Sequence, residues 1–270
     1  SEMCIRDRYF KRHDGEAATT EDFVDAIVDG AGSDGQPLGF DVEQFQLWYH
    51  QAGTPHVTVK SHWDGEAGRL SLTLQQSTAP TPGQERKQPL VIPVLWSVLQ
   101  ANEGAGEERL LVLDQESQTV VLEGLSPAAK PPVVSLFRRF SAPVTWASGQ
   151  SLDDLFALFA GDNDAFARWD AGQQLWKRLI LPRAAGTPES ELESWMLDAL
   201  SQLLAVDGEQ DPAVLATLQA FPGPAELESL QKEADPPALE RATCELRALL
   251  GSQLAPLLRS RLNGCLLYTS

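Results

Sequence analysis

The spacing of hydrophobic residues divides the chain into three zones, and the first zone, residues 9–49, has helical spacing. After Thr20 the apolar side chains fall three and four residues apart, with acidic residues in the first turn of the predicted helix. A glycine-rich stretch at residues 30–39 predicts a loop. A second helix is predicted with Asp41 as its N-cap and with an aromatic face of Phe45, Trp48 and Tyr49.

In the second zone, from His56 to Trp146, the apolar residues alternate with a period of two. Turn residues rich in glycine and proline separate the alternating runs. Seven short strands in about 90 residues are typical of a small Ig-like β-sandwich. The predicted strands are Val57–Val59, Leu70–Leu74, Leu90–Val98, Leu110–Leu113, Val120–Leu122, Val133–Phe137 and Val144–Trp146.

From Ser151 onward the period returns to 3.6, which predicts an all-α domain. Ser151 and Asp154 have the spacing of a capping box. Three later helices are predicted to begin where a side chain that can act as N-cap precedes a proline. These pairs are 24 residues apart, which indicates a stack of helical hairpins: Thr187-Pro188, Asp211-Pro212 and Asp235-Pro236.

The charge composition makes some classes of binding partner less favourable than others. The net charge is −17, from 38 acidic and 21 basic residues, and such a surface does not favour nucleic acid. No apolar stretch approaches the roughly 20 residues of a membrane span. Three cysteines do not make a disulfide framework, so a reducing, cytoplasmic location is predicted.

Three sequence patterns suggest binding chemistry, and each has an ordinary structural interpretation that we prefer. His56 and His62 share a predicted strand face but lack a third ligand, so a solvated strand edge is preferred to a metal site. The pattern G-x-G-x-x-G at residues 30–35 follows a helix rather than a strand, which favours a plain loop over a dinucleotide site. Asp207, Glu209 and Asp211 alternate like a calcium loop but lack its glycine and terminal glutamate.

Two further candidates are single side chains or pairs. Cys244 lies within an apolar helix pattern, far from any histidine, so we predict a core thiol rather than a nucleophile. Arg138 and Arg139 could bind a carboxylate, but the preferred interpretation is a surface pair at the end of a strand. From the residues alone we therefore assign no catalytic, cofactor-binding or metal-binding residue.

Five segments resemble bacterial aminopeptidase N, a family of zinc-dependent alanyl aminopeptidases of the gluzincin type. They occur in the same order as in the family. All lie within residues 9–262, except that the first segment begins one residue earlier, at Arg8. The segments are RYFKRHDGEAATTEDF from Arg8, FQLWYHQAGTP from Phe45, KQPLVIP from Lys87, FSAPV from Phe140 and NDAFARWDAGQ from Asn163.

The resemblance implies a multidomain arrangement of helical and β parts. Residues 9–50 would be the end of a thermolysin-like catalytic domain, 51–147 the seven-stranded Ig-like β-sandwich, and 151–262 the start of a truncated all-α helical-hairpin domain. The ends, residues 1–8 and 265–270, resemble translated sequencing-adapter DNA, and we expect them to be artefacts. Helices of the first segment would then expose apolar side chains, namely Phe10, Phe23, Ile27 and Phe45.

The function implied by the resemblance is that of a zinc metallo-aminopeptidase acting on the N-termini of peptide substrates. The family's H-E-x-x-H motif does not occur in this sequence, so no catalytic residue carries over. We therefore expect the chain to supply a scaffold and part of a helical lid, to depend on the missing catalytic domain as its partner, and to be inactive alone. The alternative is a free-standing sandwich and helical module that binds a protein, with a sandwich hydrolase as a more distant third.

Overall fold

The computed structural model describes residues 2–32, 38–100, 104–205 and 212–266, and it opens with three helices. Helix α1 is Glu2–His13, α2 is Thr20–Gly32 and α3 is Val42–His50. Thr19 and Asp22 cap α2 reciprocally, since each backbone N–H donates to the other's side-chain oxygen. The prediction of two helices with a break between them is confirmed, although residues 33–37 of the predicted loop lie outside the described part of the chain.

Polar side chains anchor helix α3, which has no fully buried residue. Asp41 caps it as predicted, accepting from Gln44 N at 2.8 Å. The Gln44 side chain donates to the carbonyls of Pro89 and Asp114, and Trp48 Nε1 donates to Val91 O at 2.8 Å. Helix α3 is thus fixed by directed hydrogen bonds rather than by an apolar stripe.

The expected exposure of the first segment is observed for two of its four apolar side chains. Phe10 is 54% exposed and Phe23 45% exposed. Ile27 and Phe45 are half-buried, so the expectation is wrong for them. In α2 the buried residues are Val24, Ala26 and Gly30, so the helix turns inward a face that does not include Phe23 or Ile27.

All seven predicted strands are present, together with a two-residue strand between the third and fourth. One sheet has the order β6-β2-β1-β8, and the other has β4-β3-β5 with β7 also paired to β3. Strands β1 and β2 form an antiparallel hairpin, whereas β1 and β8 are parallel. The strands are β1 Pro55–Asp64, β2 Arg69–Thr78, β3 Ile92–Gln100, β4 Gly104–Ala105, β5 Arg109–Leu113, β6 Ser117–Leu122, β7 Val133–Ser135 and β8 Thr145–Ala147.

A buried glutamine interrupts the apolar alternation of β2. Leu70, Leu72 and Leu74 occupy the inward positions, and Gln76 takes the next one at 6% exposure. Its Nε2 donates to three backbone carbonyls at 2.9–3.2 Å, and its Oε1 accepts from Leu90 N at 2.8 Å. A buried amide is stable only when it is paired in this way, so Gln76 fixes strand β2 to loop backbone distant in sequence.

Six helices follow in the described part of the chain, and the capping box of Ser151 and Asp154 is confirmed at the first of them. Their apolar faces share one core that contains Phe159, Trp176, Met196 and Leu246, all at or below 1% exposure. The helices are α4 Leu152–Gly161, α5 Ala165–Ala184, α6 Ser190–Ala205, α7 Pro212–Leu218, α8 Pro224–Ser229 and α9 Pro236–Leu266.

The regular spacing of helix starts is only partly correct. Asp235 caps α9 as predicted, accepting from Ala238 N at 3.0 Å. Thr187 does not start α6; its backbone N–H and its hydroxyl both donate to Pro182 O, so it closes α5 instead. Helix α8 was not predicted, and Asp211 lies outside the described residues. Helices α7 and α9 nevertheless begin 24 residues apart, at Pro212 and Pro236, as the spacing predicts, whereas α6 begins at Ser190.

The chain divides into two compact units that do not follow the strand and helix zones. The first comprises Ser1–Val94, Leu110–Leu125 and Ala142–Ser148, and the second comprises Leu95–Arg109, Ser126–Ser141 and Gly149–Ser270. Strand β3 begins in the first unit and ends in the second. The second unit thus combines strand segments with the helices described after residue 150, α4 to α9.

Candidate functional site

The second unit contains a strained turn at residues 137–140. Phe137, Arg139 and Phe140 have φ angles of 51°, 55° and 54°, and they are the non-glycine residues with positive φ among those described. A non-glycine residue held in this left-handed region costs roughly 1–3 kcal/mol. Contacts with neighbouring groups must compensate for that cost. Most of these contacts are made by Arg138, which lies between Phe137 and Arg139 in the turn.

Arg138 is buried at the centre of this turn, with 4% exposure. Its Nε donates to Glu108 Oε2 at 3.0 Å, and its Nη1 donates to Asp162 Oδ1 at 2.8 Å and to Ser135 Oγ at 3.3 Å. Its Nη2 donates to the side-chain oxygen of Asn163. A guanidinium paired with two carboxylates in a low-dielectric setting gives a strong and highly directional anchor.

The backbone of the turn is held by a third carboxylate. Arg139 N lies 3.1 and 3.2 Å from the two oxygens of Asp164. The same carboxylate caps helix α5 by accepting from Ala167 N at 2.9 Å. The Arg139 side chain is exposed and pairs with the second oxygen of Glu108 at 3.0 Å. Residues at the junction of α4 and α5 therefore hold the strained turn from both its backbone and its side chain.

A second buried arginine, Arg168, lies close to the same junction. Its Nε donates to Phe159 O at 3.0 Å. Burial lowers the pKa of Arg168, and the charge of Asp162 opposes that shift. Arg168 Nη2 and Asp162 Oδ2 have no hydrogen-bond partner within the described part of the chain. We call Arg138, Glu108, Asp162, Asp164 and Arg168 the arginine centre.

The arginine centre is built to position groups rather than to react. Its guanidinium groups donate to carboxylate, amide and carbonyl oxygens of the chain itself, and the hydroxyl that Arg138 also contacts, that of Ser135, is fully buried. The preferred interpretation of a surface pair is therefore wrong for Arg138 and correct for Arg139, whose side chain is 71% exposed. The carboxylates that Arg138 binds come from 24 and 30 residues away, which strand periodicity does not reveal.

One signal in the sequence could have located the centre. Asp162, Asn163 and Asp164 place three oxygen-bearing side chains at the break between two apolar helices. One of them suffices to cap the next helix. The others need a different partner, and the paired arginines are cations able to bind a carboxylate.

The two histidines do not form a metal site within the described residues. His56 Nδ1 lies 2.9 Å from Thr145 Oγ1, and His62 is exposed opposite Ser71. Strand β8 pairs with β1 at residues 56–58, so the interpretation of a solvated strand edge is wrong for His56 and correct for His62. In the ranges that the structure describes, no group of three or more His, Cys, Asp or Glu side chains could hold a metal ion.

Cys244 is exposed, so its predicted place in the core is wrong. Helix α9 buries Leu239, Ala242, Leu246 and Leu250, and Cys244 lies two residues from Leu246, about 200° around the helix. Asp207, Glu209 and Asp211 lie outside the described residues, as does part of the glycine-rich loop. Within the described chain, no helix combines the length and apolar character needed to cross a bilayer.

Two sequence families match the chain in the order of its strand and helix zones. Residues 53–149 match a domain of unknown function with an Ig-like fold (DUF3458), and residues 152–268 match a domain of unknown function with ARM repeats (DUF3458_C). These matches agree with the predicted Ig-like domain followed by an all-α domain.

Individual relatives extend the similarity across nearly the whole chain. The chain is 42% identical over 259 residues to aminopeptidase N of Caulobacter vibrioides, and 35% identical over 260 residues to that of Escherichia coli. These alignments cover 96% and 92% of the chain but only 29% and 28% of the relatives. The chain therefore spans less than a third of their length.

A solved structure shares the fold. Legionella pneumophila aminopeptidase A, crystallised in complex with aspartic acid, matches with a TM-score of 0.77 and 25% sequence identity. The match covers 95% of the chain and 28% of that protein. Sequence and structural similarity thus point to the same group of proteins and to a similar share of their length.

Proposed function

We propose, from the premise that this chain is similar over nearly its whole length to one part of aminopeptidase N, that it is the scaffold part of an aminopeptidase. The whole protein would remove N-terminal amino acids from peptides, and this chain would carry its Ig-like and helical domains. The observation that supports the proposal is the 42% identity over 259 residues to a protein of that name. A chance resemblance does not extend over 96% of a chain at that level.

We assign the zinc of such an enzyme to the part of the protein that lies outside this chain. The four histidines do not fit the metal, because none occurs in an H-E-x-x-H pattern and those at 50 and 56 have other partners. No catalytic step is therefore derived from the residues of this chain. The peptide substrate, the remaining polypeptide as partner and a cytoplasmic location belong to the same proposal.

The contribution of this chain would be to position other parts of the enzyme. The arginine centre supports that role, since it holds a strained turn in one conformation with three carboxylates. Scaffolds that orient neighbouring domains need such rigid elements at their surfaces.

The test compares the chain alone with a chimera. In the chimera, this chain replaces the 259-residue aligned segment of the Caulobacter vibrioides protein. We expect no hydrolysis of an alanyl anilide by the chain alone. The chimera should hydrolyse it, lose activity to a chelator and regain it with zinc. Chelator-sensitive hydrolysis by the chain alone, or a folded chimera without activity, would contradict the proposal.

A further inference from the structure

The strained turn presents an aromatic side chain to solvent. Phe140 is 57% exposed, more than any other aromatic residue described in the second unit. Its ring centroid lies 5.3 Å from that of Phe166, which lies 5.6 Å from that of Trp169. Phe166 and Trp169 are half-buried on helix α5. These three rings form what we call the aromatic platform, which is fixed to the core at one end and open at the other.

A cation stands beside the open end of the platform. The Arg139 side chain is 71% exposed and shares Glu108 with the buried Arg138. Aromatic residues and arginine are the side chains most enriched where protein interfaces gain their energy. The pair Arg139 and Phe140 thus has the composition of an interface anchor.

The anchor is also rigid before any partner arrives. Arg138 and Asp164 hold the turn through the ion pair to Asp162 and the hydrogen bonds from Arg139 N. A side chain held in its bound conformation loses little freedom when a partner covers it. The strained turn keeps the Phe140 ring exposed. A binding partner that contacts this ring would explain why the strain is retained.

We propose that Arg139 and Phe140 form a docking element for the part of the aminopeptidase polypeptide that lies outside this chain. The partner surface would present an apolar recess for the Phe140 ring and a carboxylate for Arg139. This inference rests on the proposed function, and the relatives support it because about 70% of their length is not represented here.

A second copy of the chain is a poorer occupant than the remaining polypeptide. Each copy carries a net charge of −17, so two copies repel one another. A partner in the same polypeptide is present at a high effective concentration and needs only a small contact area to stay bound. The proposal therefore commits to a contact within one enzyme.

A photo-crosslinking phenylalanine at position 140 of the chimera tests the contact directly. We expect adducts with peptides of the Caulobacter vibrioides protein outside the aligned segment. Adducts confined to this chain, adducts between two copies, or a folded chimera without adducts would overturn the proposal. Hydrolysis of the alanyl anilide reports separately on the proposed function, so an active chimera without adducts overturns the docking element alone.

A binding measurement supplies the second readout. The isolated chain is titrated with the Caulobacter vibrioides polypeptide that lacks the aligned segment. Phe140→Ala should weaken binding by about tenfold or more, as truncation of an interface anchor does. Leu230→Ala is the matched control, because Leu230 is also apolar and 51% exposed in the same unit, and it should change binding less than about twofold. Equal effects of the two variants on binding would count against the docking element.

Discussion

At the scale of single residues, the neighbours Arg138 and Arg139 differ entirely in their surroundings. Both pair with Glu108, but Arg138 is 5% exposed at its side chain and Arg139 is 71% exposed. Asp162, the second partner of Arg138, has no exposed side-chain surface. Arg138 therefore contributes more than Arg139 to the stability that the arginine centre provides, although the two side chains are identical.

Replacing each arginine with methionine separates the two roles. Arg138→Met should lower the free energy of unfolding by about 3–5 kcal/mol, because it removes the guanidinium that is hydrogen-bonded to the fully buried Asp162 carboxylate. Arg139→Met, the matched control, should cost about 0–1 kcal/mol, as for an exposed ion pair. Urea unfolding curves measure both values. Similar decreases in the free energy of unfolding for the two variants would show that the burial of Arg138 does not contribute to stability.

Asp170 on helix α5 makes the stability depend on pH. Burial raises the pKa of this carboxyl above its ordinary value of 3.8, and the charge of Glu226 adds to the rise. The hydrogen bond from Gln174 and the charge of Lys177 oppose it. The folded chain thus binds the proton more tightly than the unfolded chain, so this carboxyl lowers stability as pH rises from 3.8 through the raised pKa.

The variant Asp170→Asn removes this titration. The change in Tm that it causes should be more positive at pH 7 than at pH 3.5, because only the ionised carboxylate is penalised. Asp22→Asn is a control of opposite sign, since hydrogen bonds from Thr19 lower the pKa of Asp22 and its ionised form stabilises helix α2. Its change in Tm should be more negative at pH 7. Calorimetry at the two pH values measures both changes in Tm. If the change in Tm moved in the same direction between pH 3.5 and pH 7 for both variants, the prediction would be wrong.

At the scale of the elements, two residues with the same apparent role behave differently. Both Thr187 and Asp235 precede a proline, but only Asp235 accepts from the backbone of the helix that follows. Asp235→Ala should destabilise the chain by about 0.5–2 kcal/mol, the cost of a lost N-cap. Thr187→Ala should cost less than about 0.5 kcal/mol, since it removes only an exposed bond to Pro182 O. Urea midpoints in the reverse order would mean that the cap of α9 is not at Asp235.

At the scale of the whole molecule, the second unit needs both its strand segments and its helices. Leu99 on β3 is 8% exposed and lies in the same core as Leu155 and Trp176. Arg138 likewise takes Asp162 and Asn163 from the helical zone. The matched sequence families meet between residues 149 and 152, but this unit continues across that point.

A chain that ends at Ser148 tests this dependence. It should bind a hydrophobic dye and unfold at lower urea than the full chain, because Leu99 and the strained turn lose their supports. Arg138→Met should cost little in the shortened chain, since the Asp162 carboxylate is absent. If the shortened chain keeps the full urea midpoint, the strand zone is independent of the helices.

The sequence alone determined the types of the elements and their order along the chain. Seven strands, the capping box at Ser151 and the caps at Asp41 and Asp235 follow from local spacing, because periodicity and capping involve residues within a few positions of one another. The family resemblance likewise rests on short continuous segments of sequence.

The tertiary structure alone decided which polar residues are buried and which apolar ones are not. Gln76 is buried because its amide meets a carbonyl 37 residues away, and Arg138 because its carboxylates return from 24 and 30 residues away. Cys244 is exposed because the core of the helices selects the opposite face of α9. Burial depends on contacts between segments distant in the chain, and no local pattern specifies those contacts.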